Sequence, residues 1–196
     1  MIDPSPYRIV LASKSPRRHE LLAGLEIPFE IRAKDTDESY PENLRGAEIA
    51  EFLALIKSEA FDAEIAKDEV IVTADTIVVL GDTVFNKPAS EDEAVEMIAA
   101  LTGNTHSVIT GVALSDASRR RVFSETTEVT FGEVNPEEVR HYVHKYAPFD
   151  KAGAYGIQEW IGYVGIESIR GSFYNVMGFP TRRFYNELKL FLGRES

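Results

Sequence analysis

Two arginines follow a sequence signal for the start of a helix. Residues 13–22 read SKSPRRHELL, in which Ser15 is suited to cap a helix that begins with Pro16. The exposed backbone N–H groups and the dipole at such a start favour an anion. Arg17 and Arg18 oppose that dipole unless something negative binds, and their guanidinium groups match phosphate oxygens. The segment favours a phosphate-binding turn. Two surface arginines on a solvated helix face are the alternative interpretation of the same sequence.

A single acidic residue interrupts an apolar run further along the chain. Residues 70–80 read VIVTADTIVVL, which is typical of a central strand. Asp75 would be costly to bury without a partner. It could pair with a lysine or with backbone donors, ligate a metal, or activate water as a general base. Lys57 on the preceding predicted helix and Lys87 after the predicted hairpin are cations that suit phosphate chemistry.

A third segment offers a polar side chain among small residues. Residues 150–158 read DKAGAYGIQ, and the small residues permit a ligand to approach the backbone closely. Gln158 carries both a donor and an acceptor, so it could read a base edge or a 2′-hydroxyl. A hydrogen bond that only stabilises the loop would use the same side chain.

The elements that must position these residues follow from periodicity and from cap signals, among them a capping box over Ser90–Glu93 and Asn135 before Pro136. We expect one domain over residues 1–196, because no repeat or linker divides it. The fold class is predicted as α/β, a mixed twisted sheet flanked by helices. Strands are expected near 8–12, 29–32, 70–80, 83–85, 106–114 and 121–134, helices near 16–25, 47–66, 91–101, 136–146 and 181–192, and loops with short strands over 151–178.

Composition limits the functional classes. The chain has 196 residues and no Cys, so disulfide scaffolds, zinc ribbons and thiol nucleophiles are excluded and a cytoplasmic location is expected. A net charge of −11 disfavours long nucleic acid, whereas a small phosphate ligand needs only a few local cations. No apolar run is long enough for a membrane helix, so no membrane partner is expected.

Other signals point to no further chemistry. His141 and His144 lie three residues apart among charged residues, which favours a solvated helix face over a metal site. Walker, nucleophile-elbow and dinucleotide glycine motifs are absent from the sequence, so kinase, serine hydrolase and dehydrogenase classes have no support.

Further segments complete a family resemblance. Together with the three segments above, residues 74–78 (ADTIV), 87–88 (KP) and 171–180 (GSFYNVMGFP) occur in the order of one family. The chain resembles the Maf family of nucleoside triphosphate pyrophosphatases over essentially its whole length. The resemblance implies a fold like that of inosine triphosphate pyrophosphatases, with a cleft between two lobes. It also implies hydrolysis of a nucleoside triphosphate between the α and β phosphates, with a divalent cation, Mg²⁺ or Mn²⁺, as cofactor.

The resemblance also implies roles for single residues. Asp75 would be the proton acceptor and, with Glu38, would assist the metal. The phosphates would be held by Lys57, Lys87 and Arg18, and substrate would further contact Ser13, Ser15, Arg17, Thr76 and Gln158. Within that set, Arg17, Thr76 and Gln158 would shape substrate choice.

The segment ending at Gln158 is similar to the subgroup that acts on dTTP and UTP rather than on 7-methyl-GTP. Glu159 and Trp160 follow where many relatives have Gly, and Asn86 replaces a common Gly before the Lys-Pro pair. These departures leave the reaction class intact and bear on the substrate, since an indole can reshape a base site. A homodimer is expected from the resemblance. The alternative function is a nucleotide-binding regulator of cell division that does not rely on catalysis.

Overall fold

The computed structural model describes residues 2–193 of the chain. Strands and helices alternate along it, as predicted for an α/β chain. The strands are β1 (Arg8–Leu11), β2 (Phe29–Ile31), β3 (Glu69–Leu80), β4 (Thr83–Phe85), β5 (Thr105–Ser115), β6 (Arg120–Phe131) and β7 (Ile166–Arg170). The α-helices are α1 (Pro16–Ala23), α2 (Ala47–Glu59), α3 (Glu91–Leu101), α4 (Pro136–Tyr146), α5 (Trp160–Gly165), α6 (Phe173–Val176) and α7 (Thr181–Phe191), and a 3₁₀ turn covers Ala152–Ala154.

The strands form one mixed sheet. Their order is β2-β1-β3-β5-β6-β7, and β4 pairs with β3 outside that path. β1 runs parallel to both β2 and β3, whereas β4 is antiparallel to β3 and β7 is antiparallel to β6. The predicted class, a mixed sheet flanked by helices, is confirmed.

The chain groups into two compact units. The first comprises residues up to Asp75, residues 110–125 and residues from Gly178 onward. The second comprises Thr76–Ile109 and Thr126–Met177. The boundaries after Asp75, Ile109 and Glu125 fall inside strands, so β3, β5 and β6 contribute residues to each unit. The assignment of residues 1–196 to a single domain stays a prediction.

The first unit is built around the apolar start of β3. Val70, Ile71 and Val72 are all fully buried, and Ile71 pairs with Val10 on the parallel strand β1. A parallel strand covered on both faces needs a continuous apolar run, which is why this segment has no polar alternation. The sequence pattern therefore placed β3 correctly.

A buried acid begins β3 one residue before the predicted start. Glu69 is 2% exposed, and its carboxylate accepts hydrogen bonds from Arg32 at 2.7 and 3.1 Å and from Arg8 at 3.1 Å. The hydrogen bonds from Arg32 lower the pKa of Glu69 and outweigh the effect of burial. These ion pairs link β1, β3 and the segment that follows β2 at one end of the first unit.

Helix α2 packs directly on β5 within the first unit. A Cβ atom added at Gly111 would lie 2.1 Å from the carbonyl oxygen of Ala50, so only glycine permits this approach. On the neighbouring strand, Thr73 Oγ1 donates to the carbonyl oxygen of Ala54 at 2.6 Å. Ala50 and Ala54 lie one turn apart on α2, so these two contacts fix the helix against the sheet.

The second unit packs α3 and α4 around a mixed apolar and aromatic core. Ile98, Phe131 and Tyr142 are among its buried residues. Local cap chemistry explains both helix starts. Ser90 accepts a hydrogen bond from the Glu93 N–H, and Asn135 forms a complete capping box at α4. Both caps were predicted from sequence and are confirmed.

Two predictions about element bounds were wrong. Helix α2 ends at Glu59 rather than near 66, because Phe61 turns into the core, where it is 2% exposed, and Lys34 Nζ binds the carbonyl oxygen of Ala60 at 2.8 Å. Residues 151–178, expected as loops and short strands, contain β7, α5, α6 and the 3₁₀ turn. Helices of four to six residues carry too little periodicity for a sequence pattern to reveal them.

Among residues 2–193, no helix combines the length and apolar character needed to cross a bilayer.

His106 is a buried histidine in the second unit. It is 2% exposed, its Nε2 shares a hydrogen bond with the Tyr155 hydroxyl at 2.8 Å, and its Nδ1 has no partner among the described residues. The ring centroid lies 5.6 Å from that of Phe131. Burial lowers the pKa of His106 from 6.5 to about 4, so the imidazole is neutral in the folded protein near pH 7.

We predict that Gly111→Ala destabilises the protein by about 1 to 3 kcal/mol, because the new methyl group must push α2 away from β5. Urea unfolding at pH 7 measures the change. Gly24→Ala is the matched control, since Gly24 has ordinary helical dihedral angles and a Cβ there meets its nearest atoms at 3.5 Å. Equal unfolding midpoints for the two variants would contradict the close approach of α2.

We predict that stability falls as the pH drops from about 6.5 to about 4, because the unfolded chain binds a proton at His106 that the folded protein excludes. The lost contribution is about 3 kcal/mol at 1.4 kcal/mol per pH unit. Urea unfolding between pH 4.5 and 7.5 measures the slope. His106→Gln, which keeps a nitrogen near Tyr155, should flatten it, whereas His144→Gln on an exposed site should not. An unchanged slope in His106→Gln would refute this assignment.

Candidate active site

The turn before α1 is fixed by hydrogen bonds within itself. The Ser15 N–H donates to Ser13 Oγ at 3.1 Å, and His19 Nε2 lies 2.7 Å from the carbonyl oxygen of Ser13. Ser13 is buried. Ser15 occupies the N-cap position with extended dihedral angles, but its side chain makes no capping hydrogen bond. The predicted N-cap position of Ser15 before Pro16 is therefore confirmed, and the hydroxyl that orders this turn is that of Ser13.

The first turn of α1 carries positive charge and no acid. Arg18 is half-buried, and it donates from Nη1 to the carbonyl oxygen of Ala74 at 2.8 Å and from Nε to that of Gly178 at 2.9 Å. Burial lowers the pKa of Arg18, the nearby charge of Asp75 raises it, and Arg17 lowers it further. Arg18 thus ties the turn to the residue preceding Asp75, in addition to presenting charge near it.

Lys57 lies between two carboxylates. Its Nζ is 2.7 Å from Glu38 Oε1 and also binds Asp75 Oδ1. The side chains of Lys57, Asp75 and Glu38 are 16%, 9% and 46% exposed, so the acid on the strand is buried and the acid on the loop borders solvent. The ammonium group balances the charge of the buried carboxylate, which answers the need for a partner that the sequence raised.

The packing of α2 on β3 sets this geometry. Alternate residues of a strand share a face, so Asp75 points to the same side as Thr73. Thr73 binds the carbonyl oxygen of Ala54 on α2, and Lys57 follows Ala54 by three residues on the same helix face. The hydrogen bond and the ion pair are therefore successive contacts along one helix and strand pair. The structure places Lys57 beside Asp75 and Glu38, and Arg18 binds the carbonyl oxygen of Ala74, the residue before Asp75.

Three other predicted site residues belong to the second unit. Thr76 follows Asp75 on β3 and is half-buried, whereas Lys87 is exposed after β4. The carbonyl oxygen of Asn86 accepts a hydrogen bond from the Gly153 N–H at 3.2 Å, which joins the Lys87 segment to the segment that ends at Gln158. The Oε1 atom of Gln158 is buried and accepts no hydrogen bond among the described residues. Gln158 as a whole is half-buried, and a hydrogen-bond donor that reaches this atom would satisfy it.

A site made of three or more acidic or histidine side chains suited to a metal does not occur within residues 2–193. Glu38 and Asp75 nevertheless converge on one cation, the Lys57 ammonium group. Magnesium is commonly bound by one or two carboxylates together with substrate phosphates. The two carboxylates therefore fit a divalent cation whose other ligands come from outside the protein.

Sequence reasoning missed a polar network beside Gln158. Lys151 has only 9% of its side chain exposed, and its Nζ lies 3.2 Å from Glu159 Oε1. The hydroxyl of Tyr142 donates to Glu159 Oε2 and accepts from the Gly156 N–H. The available signal was a lysine followed by small apolar residues, since a charge in such a segment is buried and needs a partner.

Comparisons with known proteins identify the family. A model of the Maf-like protein family matches residues 8–191, and the chain belongs to this family. The dTTP/UTP pyrophosphatase of Parabacteroides distasonis is 51% identical over 186 residues, covering 94% of this chain and 96% of that protein. The dTTP/UTP pyrophosphatase of Bacteroides thetaiotaomicron is 49% identical and covers 93% of this chain and 95% of its own. The structure of the Staphylococcus aureus Ham1 protein aligns with 63% of this chain and with 71% of the Ham1 chain, at 16% sequence identity and a TM-score of 0.44.

We predict that Lys57→Met destabilises the protein by about 3 kcal/mol at pH 7, because it leaves a buried carboxylate without its cation. Combining it with Asp75→Asn should restore much of the loss, since the charge is then removed as well. Urea unfolding of the single and double variants measures both effects. Lys14→Met is the control, because the pair of Lys14 with Asp35 is exposed and contributes at most about 1 kcal/mol. A double variant no more stable than Lys57→Met would contradict the pairing.

Proposed function

We propose that this chain is a nucleoside triphosphate pyrophosphatase that hydrolyses dTTP and UTP to the monophosphate and pyrophosphate. The observation that carries the proposal is the cluster of Lys57, Asp75 and Glu38 beside Arg18 at the start of α1. An acid held among cations suits the activation of water near a polyanion. The names of the relatives support the same reaction and the same two substrates.

Asp75 is proposed as the proton acceptor. The oxygen of a water molecule attacks the α phosphorus, and a proton of that water passes to the Asp75 carboxylate. The bond between the α phosphorus and the oxygen that bridges the α and β phosphates then breaks. Pyrophosphate leaves with the electrons of that bond. Arg17, Arg18, Lys57 and Lys87 are proposed to balance the phosphate charge, and Ser13 and Ser15 to contact substrate at the α1 turn. Positioning and electrostatic stabilisation supply most of the rate in such reactions.

A divalent cation, Mg²⁺ or Mn²⁺, is proposed to bind with the substrate. Glu38 and Asp75 would hold it, because their carboxylates already converge on one positive group. When bound, the cation would neutralise phosphate charge. The Lys57 ammonium group would still balance part of the negative charge of the two carboxylates.

We propose that Gln158, Thr76 and Arg17 select the base. Thymine and uracil carry an imino N–H on the edge used for base pairing, whereas cytosine has an unprotonated acceptor nitrogen there. The buried acceptor of Gln158 has no partner among the described residues, and a base that donates an N–H would satisfy it. This complementarity favours dTTP and UTP over cytosine nucleotides.

The indole of Trp160 packs within the second unit. Its ring meets that of His141 on α4 edge to face, with centroids 5.5 Å apart, and it packs against the core of the second unit. We propose that Trp160 serves packing and that its neighbours select the base. A cytoplasmic location, a homodimer and the absence of long nucleic acid or membrane partners remain predictions.

We predict that the purified protein releases pyrophosphate from dTTP and UTP in the presence of Mn²⁺ or Mg²⁺. Asp75→Asn should lower kcat by about 10²-fold or more while nucleotide still binds, because the proton acceptor is lost and the cations remain. Asp35→Asn, an exposed acid of the polar loop, is the control and should keep wild-type turnover. A pyrophosphate assay across a nucleotide panel, with calorimetric binding measured alongside, gives both values.

The alternatives give different results in the same assay. Release of orthophosphate instead of pyrophosphate would identify a phosphatase. Binding of nucleotide without release of either product would favour the regulator of cell division. Unchanged turnover in Asp75→Asn would remove this residue from the proposed role.

A further inference from the structure

Glu159 stands between two buried groups of the second unit. One carboxylate oxygen lies 3.2 Å from Lys151 Nζ, and the other accepts the hydroxyl of Tyr142. Tyr142 is completely buried, and Lys151 is 8% exposed. Because neither partner has ready access to water, the carboxylate of Glu159 satisfies charge and hydrogen bonding that solvent does not supply.

The same network holds the backbone of the segment that carries Gln158. The hydroxyl of Tyr142 accepts the Gly156 N–H at 2.9 Å, so one tyrosine joins Gly156 to Glu159. The backbone also passes close to the acid, since a Cβ added at Gly156 would lie 2.7 Å from Glu159 Cδ. The residues two before and one after Gln158 are therefore fixed to a single buried hydroxyl on α4.

Packing fixes the other two neighbours of Gln158. Ile157 is 6% exposed and belongs to the apolar core of the second unit. Trp160 lies against His141 on α4. Every backbone position within two residues of Gln158 is thus held by a hydrogen bond, an ion pair or apolar contact, while its own Oε1 has no partner among the described residues.

An acceptor of this kind is costly unless a ligand uses it. A buried acceptor without a hydrogen bond costs about 1 to 3 kcal/mol, and such exceptions are uncommon in folded proteins. Preorganised groups discriminate best when the supporting residues hold them in place before binding. The arrangement around Gln158 has that character, because its neighbours are anchored and its acceptor is not engaged.

We propose that Glu159 is a positioning residue for base selection, which binds Lys151 and Tyr142 and thereby holds the neighbouring Gln158 in the orientation that meets the base. This inference rests on the proposed function and adds a residue to it. Burial and the hydrogen bond to Glu159 raise the pKa of Tyr142, so its hydroxyl keeps its proton and remains a donor to the acid. Loss of the carboxylate removes the contacts of Glu159 with Tyr142 and Lys151 and leaves the Tyr142 hydroxyl without this acceptor.

The charge on Glu159 also limits what Lys151 can do. Lys151 Nζ also pairs with Asp150 Oδ1 at 2.7 Å, and Asp150, whose side chain is 56% exposed, remains an ion-pair partner when Glu159 is lost. We expect the ammonium group to follow Asp150 toward solvent and to draw the adjoining 3₁₀ turn with it. Glu159→Gln keeps an acceptor for Tyr142 and loses the charge, so it separates the hydrogen bond from the ion pair.

A double-mutant cycle on base preference tests the proposal. The ratio of kcat/KM for dTTP to that for dCTP is measured in wild type, Glu159→Ala, Gln158→Ala and the double variant. Each single variant should lower the ratio about tenfold, a typical effect of one specificity contact. The double variant should lower it no further, because Glu159 acts through Gln158. Glu159→Gln should recover part of the ratio. Glu96→Ala on the exposed face of α3 is the control.

The outcomes separate this inference from the proposed function. If no nucleotide yields pyrophosphate with wild type, the proposed function fails and takes the inference with it. If wild type is active but the double variant shows the product of the two single-variant reductions in base preference, only the positioning role of Glu159 is refuted. Equal use of dTTP and dCTP by wild type, or a Glu159→Ala variant that loses kcat equally on every nucleotide, would also overturn it. Thermal melting of each variant identifies a simple loss of folding.

Discussion

The ion pair between Lys57 and Asp75 is the interaction on which the first unit depends. A carboxylate 9% exposed within an apolar strand needs a cation, and that cation must come from an element packed directly against the strand. Gly111 lets α2 approach the sheet closely, and Thr73 fixes the helix against β3. The same packing that stabilises the unit therefore places the acid, its cation and Glu38 together.

The turn before α1 is coupled to this pair through backbone atoms. Arg18 binds the carbonyl oxygen of Ala74, the residue before Asp75, and also that of Gly178. Residues 171–180, whose purpose the sequence left open, thus end in an anchor for an arginine of the α1 turn. Asn175 within that segment is fully buried, and its amide donates to the carbonyl oxygen of Val108 and to Thr127 Oγ1 in the second unit.

Both units use buried charge as a constraint on geometry. In the first, Lys57 balances two acids, and in the second, Glu159 joins Lys151 and Tyr142. A buried ionic group has few acceptable arrangements, because each misplaced charge or hydrogen bond costs free energy that solvent does not return. Such networks suit the proposed function, because donors that are held in place can meet a highly charged substrate without reorganising.

The sequence by itself determined β3, the capped starts of α3 and α4, and the family to which the chain belongs. Each depends on information contained in a short segment: apolar periodicity, cap chemistry at Ser90 and Asn135, or motif order. Only the tertiary structure decided that Lys57 pairs with Asp75 across 18 residues, that α2 ends at Glu59, and that Glu159 meets Tyr142 and Lys151. Those contacts arise when separate elements pack, and the spacing of residues along the chain does not encode which buried charges will meet.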